Sequence, residues 1–170
     1  MDKQIRQRVS LFNPVHCLAL GLGSGLAPKA PGTFGTLAAL PLVIVLSLYS
    51  SFSFYLIFTL IASVVGIWIC GKTADDMQVH DDSSIVWDEV AGMLITMLAV
   101  PLSWQTLLAG FVLFRIFDIL KPWPISYLDK HVHGGFGIMI DDVLAGIFAL
   151  TCLHLGLYLR NPFLYFWLIP

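Results

Sequence analysis

The chain has 170 residues, 58% of them hydrophobic and only 12% charged, with a mean hydropathy of +0.84, which excludes an ordinary soluble domain and predicts a single-domain integral membrane protein. No nucleic-acid partner is expected. The net charge of −2 matters less than its layout: Lys3, Arg6, Arg8 and Lys29 lie early, and every acid except Asp2 falls between Asp75 and Asp142.

The start is basic and then mildly apolar (LFNPVHCLALGLGSGL, 11–26), but Pro14 and His16 interrupt it and no small-x-small cleavage site follows. It is read as mature chain, with 1–34 forming a cytoplasmic or interfacial segment. Cys17, Cys70 and Cys152 have neither CxxC spacing nor paired His nearby, so buried thiols are expected, not disulfides or zinc. Residues 21–36, GLGSGLAPKAPGTFGT, contain Gly21, Gly23, Gly25, Gly32 and Gly35 with Ser24, Thr33 and Thr36, without a true GxGxxG. Two readings stand: a helix N-terminus presenting amides and the Ser24 and Thr33 hydroxyls to a phosphate, or glycines used for close helix packing.

No charge occurs between Lys29 and Lys72; as one helix this run would reach roughly 60 Å, against a hydrocarbon core of about 30 Å, so it must fold back. Tyr49, Ser50, Ser51 and Ser53 mark the turn, predicting helices over about 35–50 and 53–71, because helix satisfies its own backbone in lipid. GIWICGKT (66–73) matches the phosphate-loop pattern GxxxxGK[ST], yet Ile67 to Cys70 complete an apolar span where a flexible loop is needed. No nucleotide is expected.

The next uncharged run, Val90 to Phe114, is divided by Pro101-Leu102-Ser103-Trp104. One kinked span is possible; a hairpin with arms starting near Ile85 and ending near Leu120 would give each arm roughly 25 Å and put both acidic loops on one side. The last span is expected over Val143 to Leu159 with Asp141 and Asp142 at its start, followed by an interfacial aromatic tail, 160–170. The expected fold is therefore an all-α, polytopic bundle of about five spans, including the short hairpin broken at Pro101. The early Lys and Arg residues place the N-terminus, and with it the acidic loops, in the cytoplasm.

Acids at membrane depth are expensive unless partnered, so those at span ends are functional candidates. The hairpin brings Asp88 and Glu89, Asp118, and Asp141 with Asp142 to one face. Converging oxygen ligands without Cys or paired His suit a hard cation such as Mg²⁺. Asp75, Asp76 and Asp81 are read as loop solvation. In RIFDILKPWP (115–124), Arg115, Asp118 and Lys121 recur every three residues, so Arg115 and Lys121 can hold phosphate oxygens beside a metal. His131 and His133 in HVHGGFGIMIDD (131–142) are candidates for a proton donor or phosphate contact, or are exposed loop.

In this order and spacing, GSGLAPKAPGTFGT, HDDSSIVWDE, FRIFDILKPWPI and HGGFGIMIDDVLAG closely resemble the phosphatidylglycerophosphatase A family over about residues 11–150. The resemblance implies a Mg²⁺-dependent membrane phosphatase of bacterial phospholipid synthesis, converting phosphatidylglycerophosphate to phosphatidylglycerol and inorganic phosphate at the inner membrane. DxDxT, Cx5R and KxxxxxxRP nucleophile motifs are absent. Metal-centred hydrolysis is then the simplest mechanism, with Mg²⁺ held by several of Asp88, Glu89, Asp118, Asp141 and Asp142. The competing class is a small cation transporter or channel component using the same acids.

Overall fold

The computed structural model describes residues 6–79 and 82–160, so His80, Asp81 and the tail from 161 onward lie outside the described residues. Regular structure among the described residues is helical: α1 (Pro14–Ala19), a 3-10 segment (Gly21–Leu26), α2 (Pro31–Tyr49), α3 (Phe52–Met77), α4 (Trp87–Thr96), α5 (Trp104–Leu120), α6 (Ile125–His131) and α7 (Gly134–Arg160).

Local chemistry sets most of the boundaries. The Asn13 side chain accepts from the Val15 N–H ahead of α1, with Pro14 at its first position. Pro31 opens α2. The expected reversal falls between α2 and α3, where the Ser50 hydroxyl donates to the Leu46 carbonyl at 2.6 Å and Ser51 caps α3 by accepting from the Phe54 N–H. Ser103 and Thr106 form a reciprocal capping box at the start of α5.

Three helices, α2, α3 and α7, are long and apolar enough to cross a bilayer. The expected count of about five is not confirmed, because the two hairpin arms fall short of a span: α5 has 17 residues, about 25 Å, and α4 has 10, only about 15 Å, half the hydrocarbon thickness. Its unbroken run of buried residues from Glu89 to Leu94 is enclosed by α2, α3, α5 and α7, which makes it the central element of the bundle. In contrast α3 turns Ile57, Leu60, Ile61, Val64 and Trp68 outward, the kind of surface a bilayer covers.

Two boundaries differ from expectation. Helix α3 continues to Met77, so Lys72, Asp75 and Asp76 ride its last turns, with Asp76 paired to His16 at 3.0 Å and to Lys72. Helix α7 begins at Gly134, more than two turns before Val143, which puts Asp141 and Asp142 inside the helix and buries both. The weak helix formers at its start are offset by packing: Gly135 lies against Gly71 and Ile67 of α3. Residues 66–73, with their phosphate-loop spelling, are thus an interior stretch of α3 at a helix crossing.

The crossing that matters most joins α4 and α7. A Cβ on Gly92 would lie 2.6 Å from Phe114 Cζ and 2.9 Å from the Asp142 carbonyl oxygen, and a Cβ on Gly146 would lie 2.6 Å from the Gly92 carbonyl oxygen. Backbones therefore meet directly there. Glu89 and Asp88 stand one turn before Gly92, and Asp142 stands one turn before Gly146, so the contact draws these carboxylates together.

Candidate functional site

The first turn of α2, the loop before α4, the first turn of α4, the last turns of α5 and the Asp141–Asp142 turn inside α7 line a cavity of about 290 Å³. Its lining comprises Ala30, Pro31 and Gly32; Ser83 and Ile85; Asp88 and Glu89; Arg115, Asp118, Ile119 and Lys121; and Asp141 and Asp142.

Asp88 and Glu89 occupy the first turn of α4, which has no side-chain cap, so their charges complement the positive end of that helix. One oxygen from each of Asp88, Glu89 and Asp142 lies within 4.8 Å of the other two. Glu89 is 8% exposed and Asp142 3%. The Glu89 Oε2 atom is buried without a hydrogen-bond partner among the described residues. Three converging carboxylates repel one another, and a buried acceptor left unpaired costs about 1–3 kcal/mol or more when charged. A hard divalent cation relieves both, and the all-oxygen donor set fits Mg²⁺.

The basic wall is built on α5. Arg115 Nη1 lies 2.5 Å from Asp118 Oδ2 and 3.9 Å from Glu89 Oε1. It also donates to Thr36 Oγ1 at 3.5 Å, while that hydroxyl donates to the Gly32 carbonyl at 2.9 Å. Arg115 Nε is buried without an acceptor among the described residues, leaving one donor of the guanidinium unassigned. Lys121, the left-handed cap of α5, places Nζ 2.5 Å from both Asp129 and Asp141. Burial works against its charge, but those two hydrogen bonds outweigh it and hold the ammonium above its ordinary pKa.

The sequence candidates divide accordingly. Asp88, Glu89 and Asp142 converge, Asp118 is bound to Arg115, and Asp141 is bound to Lys121 and accepts from the Asp142 N–H at 3.0 Å. Arg115 and Lys121 both line the cavity, whereas Ser24 and Thr33 do not. Asp75 is exposed, Asp76 is paired on α3, and Asp82 accepts from the Ser84 N–H at 3.0 Å. The His131 ring stacks on Tyr127 with centroids 4.2 Å apart, and neither His131 nor His133 lines the cavity.

Gly32 and Thr36 belong to the glycine-rich segment read as a possible phosphate wall, but neither was singled out there as a site residue. A Cβ on Gly32 would collide with Glu89 Oε1 and lie 3.2 Å from Arg115 Nη1. Their i, i+4 spacing puts both on one face of α2, the signal that was available. The rest of the glycine-rich segment packs closely: Gly25 lies against the Ser84 carbonyl, and Gly21 and Gly35 against Val86.

Residues 17–157 match the family model described as phosphatidylglycerophosphatase A. The chain is 54% identical over 144 residues to the Haemophilus influenzae protein of that name, covering 84% of this chain and 88% of that one. It is 47% identical over 150 residues to its Escherichia coli namesake, covering 88% and 87%. A Bacteroides thetaiotaomicron protein provisionally named a phosphatidylinositol-3-phosphatase is 41% identical over 147 residues, covering 81% and 89%. No solved structure gives a significant match.

Proposed function

The chain belongs to the phosphatidylglycerophosphatase A family and is a phosphatase, and we propose that it hydrolyses the terminal phosphomonoester of phosphatidylglycerophosphate to phosphatidylglycerol and inorganic phosphate, using Mg²⁺. The observation that carries this reading is the convergence of Asp88, Glu89 and Asp142 in a cavity walled by Arg115 and Lys121. Asp88, Glu89 and Asp142 are the residues that would hold the metal, which when bound supplies Lewis-acid neutralisation of the phosphate.

The chain's own groups do the rest. The Arg115 guanidinium, with its unassigned Nε, and the Lys121 ammonium hold phosphate oxygens beside the carboxylates. The first turn of α2 lines the same cavity without a side-chain cap, so its positive end faces the anion. Gly32, having no side chain, lets the Glu89 carboxylate and the Arg115 guanidinium close against the α2 backbone. A carboxylate oxygen of this group takes the proton of a water that attacks phosphorus, and the proton is delivered to the glycerol oxygen as its bond to phosphorus breaks.

On this reading the protein works in phospholipid synthesis at the bacterial inner membrane, with α4 as a re-entrant arm and the cavity on the cytoplasmic side, where Arg6, Arg8 and Lys29 favour placing the N-terminal segment. The cation-channel reading is set aside, because family membership assigns a phosphatase and the cavity carries two cationic side chains, Arg115 and Lys121. The test is phosphate release from phosphatidylglycerophosphate in detergent, with Mg²⁺ or with chelator, for wild type and for Glu89→Gln and Asp142→Asn. Wild type should release phosphate only with Mg²⁺, and each variant should lose at least about 100-fold. Absence of Mg²⁺-dependent release by wild type would reject the proposal.

A further inference from the structure

Two large apolar residues line the cavity: Ile85, which is buried, and Ile119. Ile119 is 67% exposed, yet it forms part of the cavity wall. It follows Arg115 by one turn of α5, and Val112 and Leu108 precede Arg115 by about one and two turns on the same stripe. Both are open to the surroundings, at 44% and 55% exposed. Across from them, α2 enters at Gly32 and Thr36, which face Arg115, and continues away from the cavity through exposed Leu37 and half-buried Leu40. Helix α2 leans mainly on α4, and α5 leans mainly on α7, so α2 and α5 meet only sparsely. Sparse contact between the two helices thus leaves Leu37 on α2, and Val112 and Leu108 on α5, uncovered, with Ile119 linking the α5 stripe to the cavity wall.

Resting on the proposed lipid-phosphate reading, we propose that the seam between α2 and α5 is the acyl-chain subsite: the substrate enters sideways from the bilayer past Ile119, its phosphate in the cavity and one chain along Leu37, Val112 and Leu108. Continuity with the cavity selects the occupant. The outward face of α3, with Val64 and Trp68, is equally apolar but supplies no residue to the cavity, and the groove of Ala109, Leu113 and Gly156 lies between α5 and α7 on another side of α5. A lipid held in the seam keeps its methylenes out of water while its headgroup reaches the carboxylates, so no extraction step is needed.

Two measurements decide it. Leu108→Trp and Val112→Trp, set against Val64→Trp on α3, are assayed on dioleoyl and on water-soluble dihexanoyl phosphatidylglycerophosphate. The seam variants should lose at least about tenfold in kcat/KM on the long-chain lipid and under about twofold on the short one, with Val64→Trp unchanged on both. Equal losses on both substrates, or no loss on either, would overturn the subsite. In parallel, wild type is irradiated with dioleoyl phosphatidylglycerophosphate carrying a diazirine in one chain, and the adducts are mapped. Adducts concentrated at 37–44 and 108–119 support the seam; adducts spread equally over 57–68 overturn it. If wild type hydrolyses neither lipid, the phosphatase reading falls, and the adduct map, which needs binding alone, still decides the seam.

Discussion

Gly32→Ala adds a single methyl group at the point where the site is tightest. Its Cβ would lie 3.3 Å from Glu89 Cδ and 3.2 Å from Arg115 Nη1, and closer still to Glu89 Oε1. Ordinary contact begins at about 3.5 Å, so the Glu89 carboxylate must retreat by about 1 Å. It has little room to do so, being only 8% exposed and flanked by buried Val90 on a helix enclosed by four others. A 1 Å displacement of a positioned group can cost about 100-fold in rate. The fold itself should tolerate the change, since replacing a helical Gly by Ala contributes about 0.5–1 kcal/mol in the favourable direction and offsets part of the clash. Phosphate release by Gly32→Ala should therefore fall about 100-fold while the thermal midpoint in detergent shifts by no more than about 4 °C. Gly156→Ala, where an added Cβ meets nothing within 4 Å, is the control and should keep wild-type activity. Gly32→Ala with activity within about threefold of wild type would refute the placement of Glu89 and Arg115 as the working arrangement.

Thr36→Val preserves volume and removes the hydroxyl that Arg115 meets at 3.5 Å; a loss of about 1 kcal/mol predicts a roughly fivefold fall in kcat/KM, whereas Ser24→Ala and Thr33→Val, outside the cavity lining, should stay near wild type in the same assay. Arg115→Lys keeps the charge but loses the planar fork that spans Asp118 and the cavity, so kcat/KM for the lipid phosphate should drop at least about 100-fold without loss of expression or monodispersity. Gly92→Ala places a methyl group 2.6 Å from Phe114 Cζ and 2.9 Å from the Asp142 carbonyl oxygen, overpacking that should destabilise by about 1–3 kcal/mol and lower the detergent melting temperature.

Features encoded locally were legible in the sequence. Ser50 and Ser51 mark the reversal between α2 and α3, and the Pro101-Leu102-Ser103-Trp104 break marks the start of α5, because capping is a matter of a few neighbouring atoms. The convergence of acids was legible in outline, since Asp88, Glu89 and Asp142 are costly in an apolar chain unless they share a purpose. Features decided by tertiary contact were not. The start of α7 looked like a loop because Gly134, Gly135 and Gly137 are poor helix formers, and only the approach of Gly135 to Gly71 explains why helix forms there. Uncharged sequence also could not distinguish a crossing helix from α4, a 10-residue helix mostly buried by four neighbours in place of lipid. The hydroxyl expected near phosphate was sought at Ser24 and Thr33, while Thr36 meets Arg115 because α2 turns Gly32 and Thr36 together toward α5.

The central claim is that Asp88, Glu89 and Asp142 hold one divalent cation facing the basic wall. Its most direct measurement is titration of purified protein with Mn²⁺, followed by electron paramagnetic resonance, for wild type, Glu89→Gln, Asp142→Asn and the exposed Asp75→Asn. The account predicts one saturable site in wild type and Asp75→Asn that Mg²⁺ displaces, and at least about tenfold weaker binding in Glu89→Gln and in Asp142→Asn. Equal Mn²⁺ affinity in all four proteins would contradict it.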